Sequence, residues 1–360
     1  MHQARKKKKK PDFPRVKKTA LPSGGAIVAG EASFDYGTAN ELHVQQSTDR
    51  TVINWDSFNI GQDSLTEFHQ PSSSALAVNR ITGASIDPTQ ILGSLKANGQ
   101  ILVLDGNGVI FGENSIIDVG SLIATTGKVD TQKIMNGSAI EITDIGDTGF
   151  VINQGSINIK DAGLAAFVAP MVINNGVINA HLGRVQIGAA SVATLDLYGD
   201  GLMELALDEG RTQTLVNNGL ISANGGFVQI HAAAARDVVD NLVMNTGVIT
   251  ATTISQDETG KIILSAGGAN KSDAQGISAT IQAGVLDVSG YDAGETGGAV
   301  EVLGDLVVLE SGSIIDASGY AGGGDIKIGG GYLGGGDTQT AMFTYVDDNF
   351  AAIFMDEAAR

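Results

Sequence analysis

The chain has no cysteine, which removes disulfides and thiol chemistry and says little about compartment, because an exported protein can simply avoid oxidation. Tryptophan occurs once, aromatic residues make up 5% and charged residues 17%, and proline occurs six times in 360 residues. No apolar run reaches the length of a signal peptide or a membrane-spanning helix. Catalytic signatures are also missing: there is no His-Glu-x-x-His, no Gly-x-Ser-x-Gly and no phosphate-loop Gly-Lys-Ser/Thr. The five histidines, His2, His43, His69, His181 and His231, are scattered without ligand spacing, so neither a metal nor a cofactor is expected. Gly329 to Gly334 fits a dinucleotide fingerprint formally, but glycine continues where the phosphate-binding helix would have to begin, and the stretch is read as a turn.

What the chain has in abundance is glycine, 49 residues of it, between short apolar runs. Such a pattern makes many strands and many turns. Ile101 to Leu104 is too short for a helix, Asp105-Gly106-Asn107-Gly108 tolerates positive φ, and Val109 to Phe111 follows before Gly112 bends the chain again. A hairpin in a sandwich is one reading, and short strands stacked on copies of themselves are the other. Leu42 with Val44, Ile53 with Trp55, Phe58 with Ile60 and Leu76 with Val78 extend the β pattern upstream. Trp55 is expected in the core, with sugar stacking as the lesser alternative. Pro88 to Leu95, with Ile91, Leu92 and Leu95 apolar, is the one place that suits a single helical turn.

Charge is unevenly placed. Residues 1 to 18 hold nine basic side chains against Asp12, leaving thirteen basic and thirty-nine acidic residues in the rest. A body that acidic repels nucleic acid and anionic lipid, so no nucleic-acid partner is expected. The Lys6 to Lys10 run is read as part of a disordered leader over residues 1–22 in preference to a nucleic-acid or membrane arm.

From residue 150 the sequence repeats. Asn153-Gln154-Gly155-Ser156-Ile157 returns at Asn174 to Ile178, Asn217 to Ile221 and Asn245 to Ile249, each as Asn-x-Gly-x-Ile. A second pattern, Gly followed by alternating apolar residues, starts at Gly183, Gly226 and Gly260, and two strand signals per repeat mean at least two faces per coil. Val285 to Gly290 returns as Ile314 to Gly319. Variable spacing with constant internal alternation selects an all-β, right-handed parallel β-helix, in which loops leave the coil without disturbing the stack and Asn side chains bond to one another at the turns. Leu195 to Leu207, alternating around Gly199-Asp200-Gly201, reads as an extra-helical hairpin.

Asn98-Gly99-Gln100, Asp105-Gly106-Asn107-Gly108-Val109-Ile110-Phe111-Gly112 and Leu122 to Thr126 resemble the signature of filamentous-haemagglutinin-like exoproteins of two-partner secretion. That family's turn reads Asn-Pro-Asn-Gly-Ile before Phe-Gly; here Asp105 and Gly106 replace Asn and Pro, whereas Asn107, Gly108, Phe111 and Gly112 match. Stretches from Ile53 to Gly61, Gln70 to Ala75, Val78 to Gly83 and Ile91 to Leu95 follow in the family's order. The resemblance implies an N-terminal β cap, a secretion domain over 23–205 and shaft repeats over 206–360, continuing in a longer chain because Ala351 to Arg360 offers no polar cap. It implies Asn98, Gly99, Asp105, Asn107, Gly108, Phe111 and Gly112 as the secretion motif. Its partner would be an outer-membrane transporter that reads the N-terminal segment by strand addition. The family's export signal, normally ahead of the segment matching Leu21, is expected to have been trimmed, misplaced at the start codon or lost. The implied role is a surface or secreted Gram-negative adhesin whose receptor is a host-cell or bacterial surface protein or glycan, with a toxin or cytolysin stalk as an alternative.

Parallel β-helices also host polysaccharide-active enzymes, so a second reading places paired carboxylates at Asp287 and Asp316, in the same register of successive repeats. Solvated turn residues are the plainer reading of both. Calcium at Asp325 or Asp337 lacks the nine-residue spacing of calcium-binding repeats.

Overall fold

The computed structural model describes residues 14–190, 192–195, 203–206, 213–232, 241–256, 258–266, 278–304, 306–329, 343–346 and 352–354. Gln100–Leu104, Val109–Phe111 and Ile116–Val119 run along three successive faces, and Ser121–Thr125 then returns in parallel onto Gln100–Leu104, Ser121 opposite Gln100 and Thr125 opposite Leu104. Repetition of that path builds three sheets of eleven, nine and twelve strands, called first, second and third here. The chain is a parallel β-helix.

Three faces appear where the sequence pattern gave at least two. Asn-x-Gly-x-Ile is itself a corner: Phe150–Asn153 ends on Asn153, and Ser156–Ile159 starts one residue after Gly155, so a two-residue bend separates what reads as one strand. A Cβ on the corner glycines Gly155, Gly176, Gly219, Gly247 and Gly284 would in each case strike the backbone of the coil before, which confines these positions to glycine.

Inside the coils, alternation puts like on like. Ile157, Ile178, Ile221, Ile249, Leu286 and Ile315 pair in direct succession along the third sheet, and each is at most 1% exposed. Beside them runs a polar ladder. Asn153 Nδ2 donates to Asn174 Oδ1 (2.8 Å), Asn174 Nδ2 to Asn217 Oδ1 (2.7 Å), Asn217 Nδ2 to Asn245 Oδ1 (2.8 Å) and Asn245 Nδ2 to Gln282 Oε1 (2.9 Å). All five are buried, and each amide satisfies the next, which is what makes a polar row tolerable in an apolar core.

The N-terminal cap is present. Ala26–Ala29 lies antiparallel on Arg50–Trp55, and Ala32–Asp35 antiparallel on Glu41–Gln46, so the direction of the stack reverses there. Residues 14–22, placed in the disordered leader by sequence, pack on the first coil instead: the Ala20 carbonyl accepts from Gly61 N (2.9 Å) and the Lys18 carbonyl from Asp63 N (2.8 Å). Like-charge repulsion among lysines does not prevent this because the contacts are made by backbone and by Leu21, which packs against the core. Residues 1–13 lie outside the described residues. Trp55 is fully buried, donates to Asn79 Oδ1 (3.0 Å) and joins a run of rings with Phe34, Phe58 and Phe68, in keeping with the core reading.

The extra-helical hairpin is Val192–Leu195 with Met203–Ala206, antiparallel, its tip at 196–202 lying outside the described residues. It is half of a four-stranded sheet with Lys128–Val129 and Ile140–Thr143. Ile140, Ile142, Ala193 and Leu195 pack onto the outward side of the first sheet, against Val78, Leu102, Ile123 and Val168. This second core explains why Ile101 to Leu104 is apolar on both faces. The expected helical turn over Pro88 to Leu95 does not form: Thr89–Ile91 and Ser94–Ala97 are strands that join the second and third sheets. Three apolar residues spaced for a helix also suit two short strands around Gly93. The helix among the described residues is Thr131–Met135, whose N-cap Asp130 accepts from Gln132 N and Lys133 N. Gly330 to Gly334 and Asp337 lie outside the described residues, as does 351–360 except Ala352–Phe354, which pairs with Ile314–Asp316.

Candidate functional site

The seven motif residues do not converge on one pocket; they mark the corners and core of a single coil. Asn98 and Gly99 occupy the corner between the third and first sheets. Asn98 clamps Gln70 by accepting from its backbone N (2.7 Å) and donating to its carbonyl (2.7 Å), and Gly99 N donates to Gln70 Oε1 (3.0 Å). Gln70 Nε2 reaches on to the Ala75 carbonyl (2.9 Å), so one buried amide ties two coils at this corner.

Asp105, Asn107 and Gly108 form the next corner, between the first and second sheets. Asp105 is 2% exposed, and its carboxylate accepts from Thr89 N (2.9 Å), Thr89 Oγ1 (2.7 Å) and Asn107 N (2.9 Å). Burial pushes its pKa up, and these hydrogen bonds pull the other way. Asn107 Nδ2 donates to the Ser85 carbonyl (3.0 Å). Gly108 has φ of 129°, and a Cβ there would come 2.8 Å from the Phe150 carbonyl, so both conformation and space require glycine. Phe111 is fully buried and stacks on Phe167, in the strand Leu164–Val168, at 5.9 Å between ring centres. Gly112 turns the third corner, where its N bonds the Ile91 carbonyl (2.9 Å) and a Cβ would meet Leu92.

The Asp105 corner is also connected to the N-terminal segment. Thr89 adjoins Gln90, whose backbone N bonds Asn59 Oδ1 (2.7 Å) and whose Nε2 reaches the Pro14 carbonyl (2.9 Å). Ser85, Thr89 and Gln90, one coil earlier, and Asn59, two coils earlier, are partners that the motif alone did not reveal, because their separations are set by coil length. The departure from the family turn leaves a satisfied turn: Asp105 Oδ1 bonds two residues on to Asn107, and its Oδ2 anchors the coil below.

The carboxylates of the alternative reading are engaged locally. Asp287 and Asp316 are opposite one another in register, but Asp287 accepts from Ser289 N (2.9 Å), Ser289 Oγ and Tyr291 Oη (3.2 Å), and Asp316 from Ser318 N (2.8 Å). Each shapes its own turn.

The model of the family described as TPS secretion domain matches residues 19–280. Two heme/hemopexin-binding proteins of Haemophilus influenzae are 42% identical over 106 residues and 37% identical over 128, covering 29% and 36% of this chain. The aligned stretches span 11% and 12% of those proteins, so the chain corresponds to a small part of the curated relatives it matches. Among solved structures, the secretion domain of HMW1 from Haemophilus influenzae superimposes with a TM-score of 0.77 at 27% identity, covering 91% of this chain and 82% of that one. The filamentous hemagglutinin secretion domain gives a TM-score of 0.54 at 13% identity over 86% of this chain and 99% of that one, a likeness of fold alone. These similar proteins are secretion domains and binding proteins, not enzymes.

Proposed function

Because the chain belongs to the family of TPS, or two-partner secretion, domains, we propose that its first coils are both the export signal and the folding nucleus of a Gram-negative exoprotein. Proteins with this domain are secreted or surface-held and are exported with a dedicated outer-membrane transporter. The observation that carries the nucleus role is the motif coil: each of its corners is bonded to the coil before it, through Gln70, Thr89 with Ser85, and Ile91. A coil built this way closes only when its predecessor is in place. Each closed coil then buries new apolar surface outside the membrane and discourages return. Under this reading 23–205 acts as the secretion domain and 206–360 opens the shaft.

The transporter is the partner, and the strand Ala26–Ala29 supports a docking edge for it. Among the described residues this strand has a sheet neighbour on one side only, and Ile27 and Val28 are exposed. For the remainder of the exoprotein, adhesion to a cell-surface receptor or glycan is the first reading, supported by the likeness to the HMW1 domain. Capture of heme or hemopexin is the second, supported by the 42% identity to a heme/hemopexin-binding protein.

The test places an export signal ahead of Leu21 and measures protein in the medium with and without the cognate transporter, for the unaltered chain and for Phe111→Ala. Transporter-dependent release that drops severalfold in the variant is expected. Equal release without the transporter overturns the export role; undiminished release of a demonstrably unfolded Phe111→Ala variant overturns the nucleus role.

A further inference from the structure

On the outward side of the first two coils of the third sheet, Glu41–Gln46 and Leu65–His69 run parallel, with His43 opposite Glu67 and Gln45 opposite His69. Alternation sends Leu42, Val44, Thr66 and Phe68 inward and leaves His43, Glu67 and His69 on the surface side by side. His43 Nδ1 lies 3.2 Å from His69 Nε2 and 3.5 Å from Glu67 Oε2, and His69 Nε2 lies 3.7 Å from Glu67 Oε2. The two imidazoles are stacked, 19° from parallel.

We infer that these three side chains form a site for a zinc-like divalent transition metal. A tetrahedral ion bound at about 2.0–2.1 Å holds its ligand atoms about 3.3–3.4 Å apart. The triangle of 3.2, 3.5 and 3.7 Å is one face of that tetrahedron, so the ion seats above it with side-chain shifts of only tenths of an ångström. Two imidazole nitrogens and one carboxylate oxygen are a donor set for zinc and its neighbours, not for calcium or magnesium, which take oxygen ligands. The ring nitrogen of His43 not facing the triangle, Nε2, lies 3.4 Å from Glu41 Oε2. A proton held there leaves Nδ1 as the lone-pair donor, the arrangement by which an outer carboxylate sets the tautomer of a ligating histidine.

The side chains are a quarter to two-fifths exposed (25% for His43, 31% for Glu67, 43% for His69), open enough for the ion to enter and for water to fill its fourth position. His43 and Glu67 stand on different coils, so the ion is a clip between the first two layers of the stack. It stabilises the coils only when both have folded, because the triangle does not exist in the unfolded chain. The site escapes a sequence search because its histidines are 26 residues apart, a distance set by the length of one coil.

The test is zinc titration of the purified, chelator-treated 360-residue chain by calorimetry, with thermal unfolding in parallel. One ion per chain and a melting temperature that rises with zinc are expected. His43→Ala and His69→Ala should weaken that site by about a hundredfold or more, and Glu41→Gln by about tenfold, as outer-shell changes do. Glu67→Gln, nearly isosteric, removes the ligand charge with least risk to folding; matching circular dichroism and metal-free melting identify a variant that folds. His181→Ala should leave the site unchanged. Cobalt in place of zinc should give the intense visible spectrum of tetrahedral coordination. Absence of saturable binding in the unaltered chain, zinc binding indifferent to Glu67→Gln and His69→Ala, or an octahedral cobalt spectrum would each overturn the inference, whatever the outcome of the export experiment.

Discussion

The outward side of the first sheet is buried in both its early and its later coils, but with opposite chemistry. Early, Val78, Leu102, Ile123, Leu164 and Val168 lie under the antiparallel four-stranded sheet in a second apolar core. Later, the same rows carry the nearly inaccessible Gln186, Gln229, His231 and Ser265 before Ile263 and Leu303 make them apolar again, and Gln186 Nε2 donates to Gln229 Oε1 (3.3 Å). The inward face is apolar in both regions apart from the hydrogen-bonded Asn79, with Trp55 and Phe167 among its aliphatic residues, so the coil itself accommodates either outward chemistry. The difference shows that the stack fixes strand position, whereas the four-stranded sheet fixes what the early outward side must be.

Several substitutions would break or sharpen this contrast. The largest effect is expected from Leu102→Ala, which empties part of the early apolar cover and should cost about 2–5 kcal/mol in urea unfolding. A loss below about 1 kcal/mol would mean that the four-stranded sheet merely rests on the coils. Next comes acid. Burial holds the His231 pKa down at about 4, against an ordinary 6.5, with a backbone hydrogen bond to Ser265 opposing the shift weakly. Because the folded value lies below the unfolded one, protons favour the unfolded chain: stability from this residue is complete above about pH 6.5 and falls by about 3 kcal/mol as pH drops toward 4. His231→Gln should flatten that part of the stability profile, measured by urea midpoints between pH 4 and 7, and an unchanged acid slope would remove His231 as its source.

A smaller change, about 2 kcal/mol, is expected from Asn174→Ala, which strands Asn217 Oδ1 in the core and leaves Asn153 Nδ2 only its long bond to the Val177 carbonyl (3.4 Å); Asn179→Ala, at an outward pair with Asn158, should stay within about 0.5 kcal/mol. Equal losses in thermal melts would show that the inner ladder has no special standing. Below Asn174→Ala and above the Asn179→Ala control stands Asn107→Ala, about 1 kcal/mol for the bond to the Ser85 carbonyl, read as a shift in urea midpoint.

The later coils were legible because they repeat: Asn153, Asn174, Asn217 and Asn245 announce the ladder, and alternation announces the inward face. The count of faces was not, since a corner as short as Gln154-Gly155 leaves no break in the apolar pattern. In the early coils, where Gln70 braces one corner and Thr89 with Ser85 another, nothing recurs to be counted, and resemblance to a family supplied what periodicity lacked. The hairpin was visible from the alternation of Leu195 to Leu207, although its first described strand, Val192–Leu195, starts ahead of that stretch; its neighbour Ile140–Thr143 was not visible, because strands far apart in sequence pair by a register that coil lengths decide. The same reason hid His43 beside His69 and the docking of residues 14–22 on the first coil.

The amides of Asn153, Asn174, Asn217 and Asn245 all point the same way, each nitrogen toward the next coil and the last onto Gln282 Oε1, as water molecules do along a chain in ice. Their dipoles therefore add, giving the row a negative tail at Asn153 and a positive head at Gln282. Orientation in such a row is collective: no member can turn over without setting two donors or two acceptors face to face. An aspartate at position 217 would still accept from Asn174 but would confront the oxygen of Asn245, so the damage would run in one direction only, toward the head of the row.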